Sequence, residues 1–242
     1  MRLSCARSRK REPFIWGQWL ITAVLKPLFG LLLPYDVEGQ ENLPPEGPAI
    51  VLMNHVNFLD VVAPGTFLRR QVVMLSKVEN FSLPVLGPFV RAYGSLPIHR
   101  GEVDLTAVRL SLRALERGQV LVVAPEGTRS GDGRLQPGHD GLAFLATRAG
   151  VPVVPFVSYG HEHYMSTFKR LRRPRLHIRV GKPFRFVARG HLRRSDLRPM
   201  TDEAMYRLAA LLPPEYRGAY ADLSRATSRY TEPYEPAAEG VG

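Results

Sequence analysis

The run AIVLMNHVNFLD occupies residues 49–60 and contains the pattern that decides the fold of this 242-residue chain. Its first five residues are apolar and predict a strand buried on both faces, and the polar residues after them predict a loop. The run VLVVAPEGTRS at residues 120–130 has the same arrangement. Ligands of open α/β sheets bind at the carboxyl ends of the strands. We therefore predict that the titratable residues of both loops lie at one edge of such a sheet.

Alternating strand and helix patterns extend through the rest of the chain and predict an α/β fold. Residues 105–115 form an amphipathic helical pattern that begins after Asp104, and residues 201–212 form another helical pattern. Residues 151–157 are a further apolar strand pattern, for which two prolines favour an edge position or irregular pairing. We expect a single domain with a mixed, mostly parallel sheet covered by helices. The predicted regions are a basic arm with a membrane-associated, interfacial helical segment at 1–38, the domain at 39–222 and a flexible tail at 223–242.

The excess of basic residues is the unusual bulk property of the chain. It has 33 Lys and Arg residues against 22 Asp and Glu residues, which gives a formal net charge of +11. Such an excess predicts a polyanionic partner: a nucleic acid, an anionic membrane surface or a phosphorylated substrate. The sequence has no recognised nucleic-acid-binding motif, so we expect no nucleic-acid partner. The single cysteine, Cys5, excludes an intramolecular disulfide and a cysteine-rich metal site, and we expect no metal.

The N-terminal residues favour a membrane surface among these partners. Basic residues up to Arg11 precede an apolar stretch over residues 14–33 that contains Trp16 and Trp19. This stretch is long enough to span a bilayer, but the Lys26-Pro27 pair near its centre opposes a simple span. We favour two short helices in the interface of an anionic membrane, on its cytoplasmic face, in a peripheral or monotopic protein. A single span and a soluble core segment are the alternatives.

His55 is the leading candidate for a catalytic residue, and Asp60 is its expected partner. A neutral imidazole can accept a proton from a hydroxyl group near physiological pH, and a carboxylate can fix its tautomer and stabilise the imidazolium. Five helical steps would turn Asp60 away from His55, so the pair requires a turn after the strand, which Asn57 can adopt. The alternative is a helix-capping Asp60 beside a hydrogen-bonded His55.

Three further motifs follow the His-x4-Asp motif: GSLPIHR at 94–100, PEGTRS at 125–130 and VPVVP at 151–155. The four blocks, which together cover residues 49–157, resemble those of the glycerolipid acyltransferase family, which includes the lysophosphatidic acid acyltransferases. The resemblance implies that residues 39–222 are an acyltransferase domain. It implies transfer of an acyl chain from a thioester, either acyl-CoA or acyl-carrier protein, to a hydroxyl group of a lysolipid or glycerol phosphate. No cofactor other than this donor substrate is expected.

The resemblance also implies a mechanism and a product. His55 is expected to act as the general base on the acceptor hydroxyl, oriented by Asp60, and the hydroxyl then attacks the thioester without an acyl-enzyme intermediate. The expected acceptor is a lysophospholipid, most simply lysophosphatidate, and the product is phosphatidate for phospholipid biosynthesis. The alternatives are transfer to another lysolipid, such as an ornithine lipid or glycolipid, and a non-catalytic basic lipid-binding protein.

Five residues are expected, by the same resemblance, to bind the acceptor. Arg100 is expected to pair with the phosphate of the acceptor, since the planar guanidinium fork suits phosphate oxygens. The glycerol and phosphate are expected to be held by Glu126, Gly127, Thr128 and Arg129. The alternatives are solvated surface charges for Arg100 and Arg129 and a turn carboxylate for Glu126.

The sequence departs from the family pattern on the acceptor side. Ala124 stands where many members have phenylalanine, and Asn57 stands where serine is common. The sequence GHDG at residues 138–141 occupies the place of a Phe-Lys-x-Gly segment, so an expected phosphate-facing lysine is missing. These differences leave the acceptor headgroup open.

Two polar segments follow the fourth block. His161 and His163 flank Glu162, a spacing that suggests metal binding, but no further ligands lie nearby in the sequence, and we predict an ordinary loop. The basic run at residues 169–175 is able to contact anionic lipid headgroups, CoA phosphates or acyl-carrier protein.

Overall fold

The structure is a computed structural model that describes residues 15–99, 104–187 and 192–235. In these ranges nine strands form one sheet, and helices cover both of its faces. The strands are β1 (Tyr35–Glu38), β2 (Ala49–Met53), β3 (Val72–Lys77), β4 (Leu96–Ile98), β5 (Val120–Val123), β6 (Val153–Tyr159), β7 (Leu176–Val180), β8 (Phe184–Phe186) and β9 (Thr231–Pro233). The α-helices are α1 (Trp16–Leu32), α2 (Ala63–Phe67), α3 (Leu86–Ala92), α4 (Leu105–Glu116), α5 (Gly141–Ala149), α6 (Tyr164–Lys169) and α7 (Leu197–Ala209).

The sheet is mixed and mostly parallel, which confirms the predicted fold class. Its strand order is β1-β7-β6-β2-β5-β3-β4, and β8 pairs with both β6 and β9. Strands β2 to β6 are parallel to one another, whereas β7 is antiparallel to β6. Leu52 pairs with Val123 of β5 on one side and with Pro155 of β6 on the other. The carboxyl ends of β2, β5 and β6 therefore lie side by side at one edge.

Strand β2 is apolar at every position because it is covered on both faces. Ile50 and Leu52 pack in a cluster with side chains of α4, α5 and α7. Ala49, Val51 and Met53 point to the other face and pack in a cluster with side chains of α1 and α2. Successive side chains of a strand point to opposite faces, so only a strand at the centre of two layers needs this continuous apolar pattern.

The edge position predicted for β6 is wrong, whereas the alternative, irregular pairing, agrees with the change of its antiparallel neighbour from β8 to β7. Strand β6 lies between β2 and β7, although Pro155 has no N–H group to donate. The carbonyl oxygen of Pro155 accepts a hydrogen bond from the N–H of Gly181, in the segment that joins β7 to β8. Pro155 therefore lies where the antiparallel neighbour of β6 changes from β8 to β7, and a donor is not required there.

The N-terminal apolar stretch forms one helix, so the predicted pair of short helices is wrong. Helix α1 continues through Pro27, which removes only the hydrogen bond to the carbonyl of Ala23. Ala23 is exposed, so solvent can satisfy its carbonyl. Residues 35–38, which were expected to belong to the membrane segment, form β1 and pair with β7. The basic arm through Arg11 lies outside the described residues.

Close contacts attach α1 to the sheet domain. The buried side chain of Gln18 accepts a hydrogen bond from the Val72 N–H at 2.9 Å and donates one to the Val72 carbonyl at 2.8 Å. Gly17 approaches α3 so closely that an added Cβ atom would lie 2.3 Å from the carbonyl oxygen of Ala92. Helix α1 is therefore packed as part of the fold. Across the three described ranges, no helix combines the length and the apolar character needed to cross a membrane.

Two C-terminal elements differ from the predicted boundaries. Helix α7 begins at Leu197 and not at residue 201, because Pro199 falls in the first turn, where a helix does not need its N–H group. Strand β9, at residues 231–233, lies in the stretch predicted to be a flexible tail and pairs with β8. Residues 236–242 of that tail lie outside the described residues.

Candidate active site

The candidate site lies at the edge where β2, β5 and β6 end. The loop after β5 is hydrogen-bonded to the loop after β2, since the N–H of Ser130 donates to the carbonyl oxygen of His55 at 2.9 Å. The loop after β6 joins them, since the side-chain amide of Asn57 donates to the carbonyl oxygen of His161 at 3.1 Å. Parallel pairing of the three strands thus brings together side chains that are about a hundred residues apart in the sequence.

A capping box turns Asp60 back towards His55. Residues Phe58–Val61 form a short 3-10 helix, and the side chain of Asn57 accepts a hydrogen bond from the Leu59 N–H at 2.8 Å. The Asp60 carboxylate accepts a hydrogen bond from the Asn57 N–H at 2.7 Å. The turn predicted between strand and helix is confirmed. Asp60 therefore has the capping contact of the alternative interpretation and faces His55 as well.

His55 and Asp60 face each other at ion-pair distance. The Nδ1 atom of His55 lies 3.6 Å from Oδ2 of Asp60, which is longer than a hydrogen bond. The His55 side chain is 12% exposed, whereas that of Asp60 is fully buried. Catalytic hydrogen bonds are often long in unliganded enzymes and shorten when substrate binds. The geometry leaves Nε2 of His55 as the imidazole nitrogen that does not face Asp60.

Asp60 is a buried carboxylate that four further donors surround. Its Oδ2 atom accepts from the N–H groups of Val56 at 2.6 Å and Asn57 at 2.7 Å. Its Oδ1 atom contacts the Ser158 hydroxyl at 2.7 Å and Nε2 of His161 at 2.8 Å. Burial acts to raise the pKa of Asp60, but the hydrogen bonds from His161 and Ser158 and the proximity of His55 outweigh it and keep the pKa well below its usual range. Asp60 is therefore ionised at neutral pH.

His161 is the residue of this site that the sequence did not reveal. It was predicted to belong to an ordinary loop, and the structure places its side chain in the interior against Asp60. No local pattern marks it, because its partner is 101 residues away along the chain. The only available signal was topological, since its loop follows an apolar strand pattern that was assigned to the same sheet as the strand before His55.

Glu126 joins the two loops of the site through their backbones. One carboxylate oxygen accepts from the His55 N–H at 2.9 Å, and the other accepts from the Gln136 N–H at 2.8 Å. Burial raises the pKa of Glu126 to about 7, although these two hydrogen bonds act to lower it. The negative charges of Asp60 and Asp132 also raise it. Glu126 therefore titrates near neutral pH while it holds the backbone beside His55.

The three residues after Glu126 are exposed beside His55. Gly127 has a φ of +67°, a left-handed conformation that strains other residues, and an added Cβ atom would lie 3.1 Å from the His139 ring. Thr128 and Arg129 follow it with exposed side chains. Arg100 lies outside the described residues. Its predicted contact with the acceptor, like the predicted substrate contacts of residues 126–129, stays a prediction.

Comparisons with known proteins point to one family. The sequence profile described as Acyltransferase matches residues 34–159, a range that contains the whole site apart from His161. A 1-acyl-sn-glycerol-3-phosphate acyltransferase of Bacillus subtilis (strain 168) is 24% identical over 189 residues, which cover 77% of this chain and 92% of that protein. The chloroplastic 1-acyl-sn-glycerol-3-phosphate acyltransferase BAT2 of Brassica napus is 34% identical over 137 residues, 54% of this chain and 39% of that protein.

A solved structure has a similar fold. The crystal structure of the 1-acyl-sn-glycerophosphate (LPA) acyltransferase PlsC from Thermotoga maritima superposes with a TM-score of 0.60 and 25% identity, and the match covers 77% of this chain and 76% of that one. By contrast, the chain spans only 39–55% of the length of its plant and algal relatives.

Proposed function

Because the chain belongs to the acyltransferase family, we propose that it transfers a fatty acyl chain from a thioester donor to the free hydroxyl of a lysophospholipid. The simplest acceptor is lysophosphatidate, which the reaction converts to phosphatidate. The observation that carries this proposal is the partly exposed His55 beside the ionised, fully buried Asp60. The names of the relatives support lysophosphatidate as the acceptor.

In the proposed mechanism, His55 is the general base. Its Nδ1 proton points towards Asp60, and its Nε2 lone pair accepts the proton of the acceptor hydroxyl. The hydroxyl oxygen attacks the thioester carbonyl, the C–S bond breaks as the C–O bond forms, and the imidazolium returns the proton to the leaving sulfur. The Asp60 carboxylate stabilises the imidazolium meanwhile. General-base catalysis of this kind contributes roughly 10²–10⁴-fold to turnover.

A direct attack requires no acyl-enzyme, and the surroundings of Asp60 support this. Ser158 is the serine whose hydroxyl contacts Asp60, but it is fully buried and its hydroxyl proton is donated to the carboxylate. A buried serine in this position cannot reach a thioester carbonyl. Acyl-CoA or acyl-carrier protein is the proposed donor, and no further cofactor takes part.

We place the acceptor headgroup on the exposed loop at residues 127–129, next to His55. The positive φ of Gly127 keeps the backbone free of a side chain there, and Arg129 supplies a guanidinium for phosphate. Glu126 contributes by holding the backbone of His55 and so setting the distance between base and headgroup. Arg100 is the proposed second phosphate ligand.

Helix α1 is the proposed contact with the cytoplasmic face of an anionic membrane. Apolar side chains are exposed along it every three or four residues, which places them on one side of the helix. Gln18 and Phe29 are buried on the other side. The exposed apolar side chains include Trp19, Leu20, Val24, Leu28 and Leu31.

A panel of lysolipid acceptors and thioester donors, followed by lipid mass spectrometry, tests the proposal. We expect phosphatidate from lysophosphatidate with acyl-CoA or acyl-carrier protein. A product formed only from an ornithine lysolipid or a glycolipid would keep the chemistry and replace the acceptor. Binding of lysolipid with no product from any pair would contradict the proposal and favour a lipid-binding protein.

A further inference from the structure

His161 contacts the Asp60 carboxylate more closely than His55 does. Its Nε2 atom lies 2.8 Å from Oδ1, compared with 3.6 Å between Nδ1 of His55 and Oδ2. His161 is fully buried, so it cannot touch a lipid or thioester substrate, whereas His55 is partly exposed. The two imidazoles therefore contact different oxygens of one carboxylate, and only one of them is open to substrate.

The loop after β6 holds His161 in this place. The carbonyl oxygen of His161 accepts hydrogen bonds from the side chain of Asn57 at 3.1 Å and from the Tyr164 N–H at 3.2 Å. The neighbouring Glu162 accepts from the Gly160 N–H at 2.7 Å and closes the turn that leaves β6. The loop is thus hydrogen-bonded internally and also to Asn57, which caps the 3-10 helix that contains Asp60.

We propose that His161 is a positioning residue for the acyl-transfer reaction, which holds Oδ1 of Asp60 so that Oδ2 faces the Nδ1 atom of His55. The inference rests on the proposed function, because it presumes that His55 is the base. A carboxylate rotates about its last side-chain bond unless both oxygens are held. The two backbone N–H groups hold Oδ2, and His161 with Ser158 holds Oδ1.

The charges around His161 are consistent with this role. Burial acts to lower its pKa, but the hydrogen bond to Asp60 and the charges of Asp60 and Glu162 outweigh burial and raise the pKa. The negative charge of Asp60 also acts on Glu126, whose pKa it raises. His161 is thus the buried group that offsets the negative charge of the site on the side away from substrate.

The test compares His161→Leu, His161→Gln and His161→Asn in the full chain with acyl-CoA and lysophosphatidate. Leucine removes the donor, and glutamine places an N–H near the position of Nε2, whereas asparagine is too short to do so. We expect kcat to fall at least about tenfold in the leucine and asparagine variants, with KM within about twofold, and glutamine to retain more than a third of wild-type kcat. The exposed His163, changed to leucine, is the matched control and should leave kcat unchanged.

A double-mutant cycle with Asp60→Asn shows whether His161 acts through Asp60. We expect His161→Leu to lower kcat by less than about twofold when Asp60 is already asparagine, because its effect passes through that carboxylate. Equal losses in both backgrounds would overturn the inference, as would wild-type kcat in both His161→Leu and His161→Asn. If His161→Leu fails to fold, the comparison of kcat between His161→Gln and His161→Asn tests the inference by itself. An inactive wild-type protein would instead contradict the proposed function.

Discussion

The site at the sheet edge and helix α1 differ in which kind of side chain they bury and which they expose. At the site, a carboxylate is buried among five polar partners, whereas α1 leaves a row of apolar side chains exposed. The partners of the buried carboxylate come from the loop after β2 and from β6 with the loop that follows it, so its surroundings exist only in the folded domain. The exposed apolar side chains contribute little to the fold that carries them. Substitutions should therefore separate the proposed acyl transfer from the proposed membrane binding.

The largest loss of turnover without loss of binding is expected from His55→Ala. Loss of the proposed general base should lower turnover at least about a hundredfold, because the acceptor hydroxyl would then be deprotonated only by water. Lysolipid and liposome binding should stay unchanged, since the substitution leaves the proposed phosphate ligands and the exposed apolar side chains of α1 in place. Turnover is measured by phosphatidate formation, and His163→Ala is the control. More than a third of wild-type turnover in His55→Ala would show that the base is another residue.

A smaller change, confined to acceptor binding, is expected from Arg129→Ala. A charge-assisted hydrogen bond to phosphate is worth about 1.5–3 kcal/mol, so KM for lysophosphatidate should rise about ten- to a hundredfold. Lysine should restore binding only in part, because it lacks the bidentate fork. The exposed Arg134 on the same loop, changed to alanine, is the matched control. An unchanged KM for lysophosphatidate would remove Arg129 from the acceptor site.

Glu126 gives the stability of the buried region a pH dependence. Its pKa in the fold is about 7 against an ordinary value of 4.5, so its contribution to the free energy of unfolding is complete below pH 4.5 and is lost as pH rises through about 7. We expect the wild type to lose on the order of 2 kcal/mol more than Glu126→Gln between pH 5 and pH 8. Urea unfolding of both proteins at several pH values measures this difference. Parallel plots of the free energy of unfolding against pH would contradict the prediction.

The smallest effect on chemistry is expected from Leu20→Ser. Leu20 on α1 and Leu105 on α4 are both 60% exposed and lie on opposite faces of the sheet. Burying a leucine contributes about 1.5–3 kcal/mol, so Leu20→Ser should weaken sedimentation with anionic liposomes about tenfold, and Leu105→Ser should not. Turnover of a soluble short-chain acceptor should stay within about twofold for both. Equal losses of liposome binding would place the membrane contact elsewhere, with the basic run at 169–175 as the next candidate.

Local patterns predicted the elements whose residues interact mainly with near neighbours in the sequence. The apolar runs of β2 and β5 and the capped helix α4 were predicted because burial and capping are visible in a few adjacent residues. The pairing of His55 with Asp60 was also predicted, since a five-residue turn connects them.

The errors have a common physical cause, which is that a distant partner changes what a residue requires. Pro155 favours an edge strand or irregular pairing, and the edge position is wrong because the passage from β7 to β8 removes the need for its N–H group. Pro27 indicates a helix end until packing of α1 on the domain compensates for one lost hydrogen bond. His161 has no visible partner in the sequence, because the parallel pairing of β6 with β2 creates its contact with Asp60.

The most direct test of base-catalysed acyl transfer is the release of free thiol from acyl-CoA, measured with and without lysophosphatidate. We expect wild-type protein to release thiol only when lysophosphatidate is present, with one phosphatidate formed per thiol. His55→Ala should release it at least about a hundredfold more slowly. Thiol release that does not depend on the acceptor, or that His55→Ala retains in full, would contradict direct transfer by a His55 base.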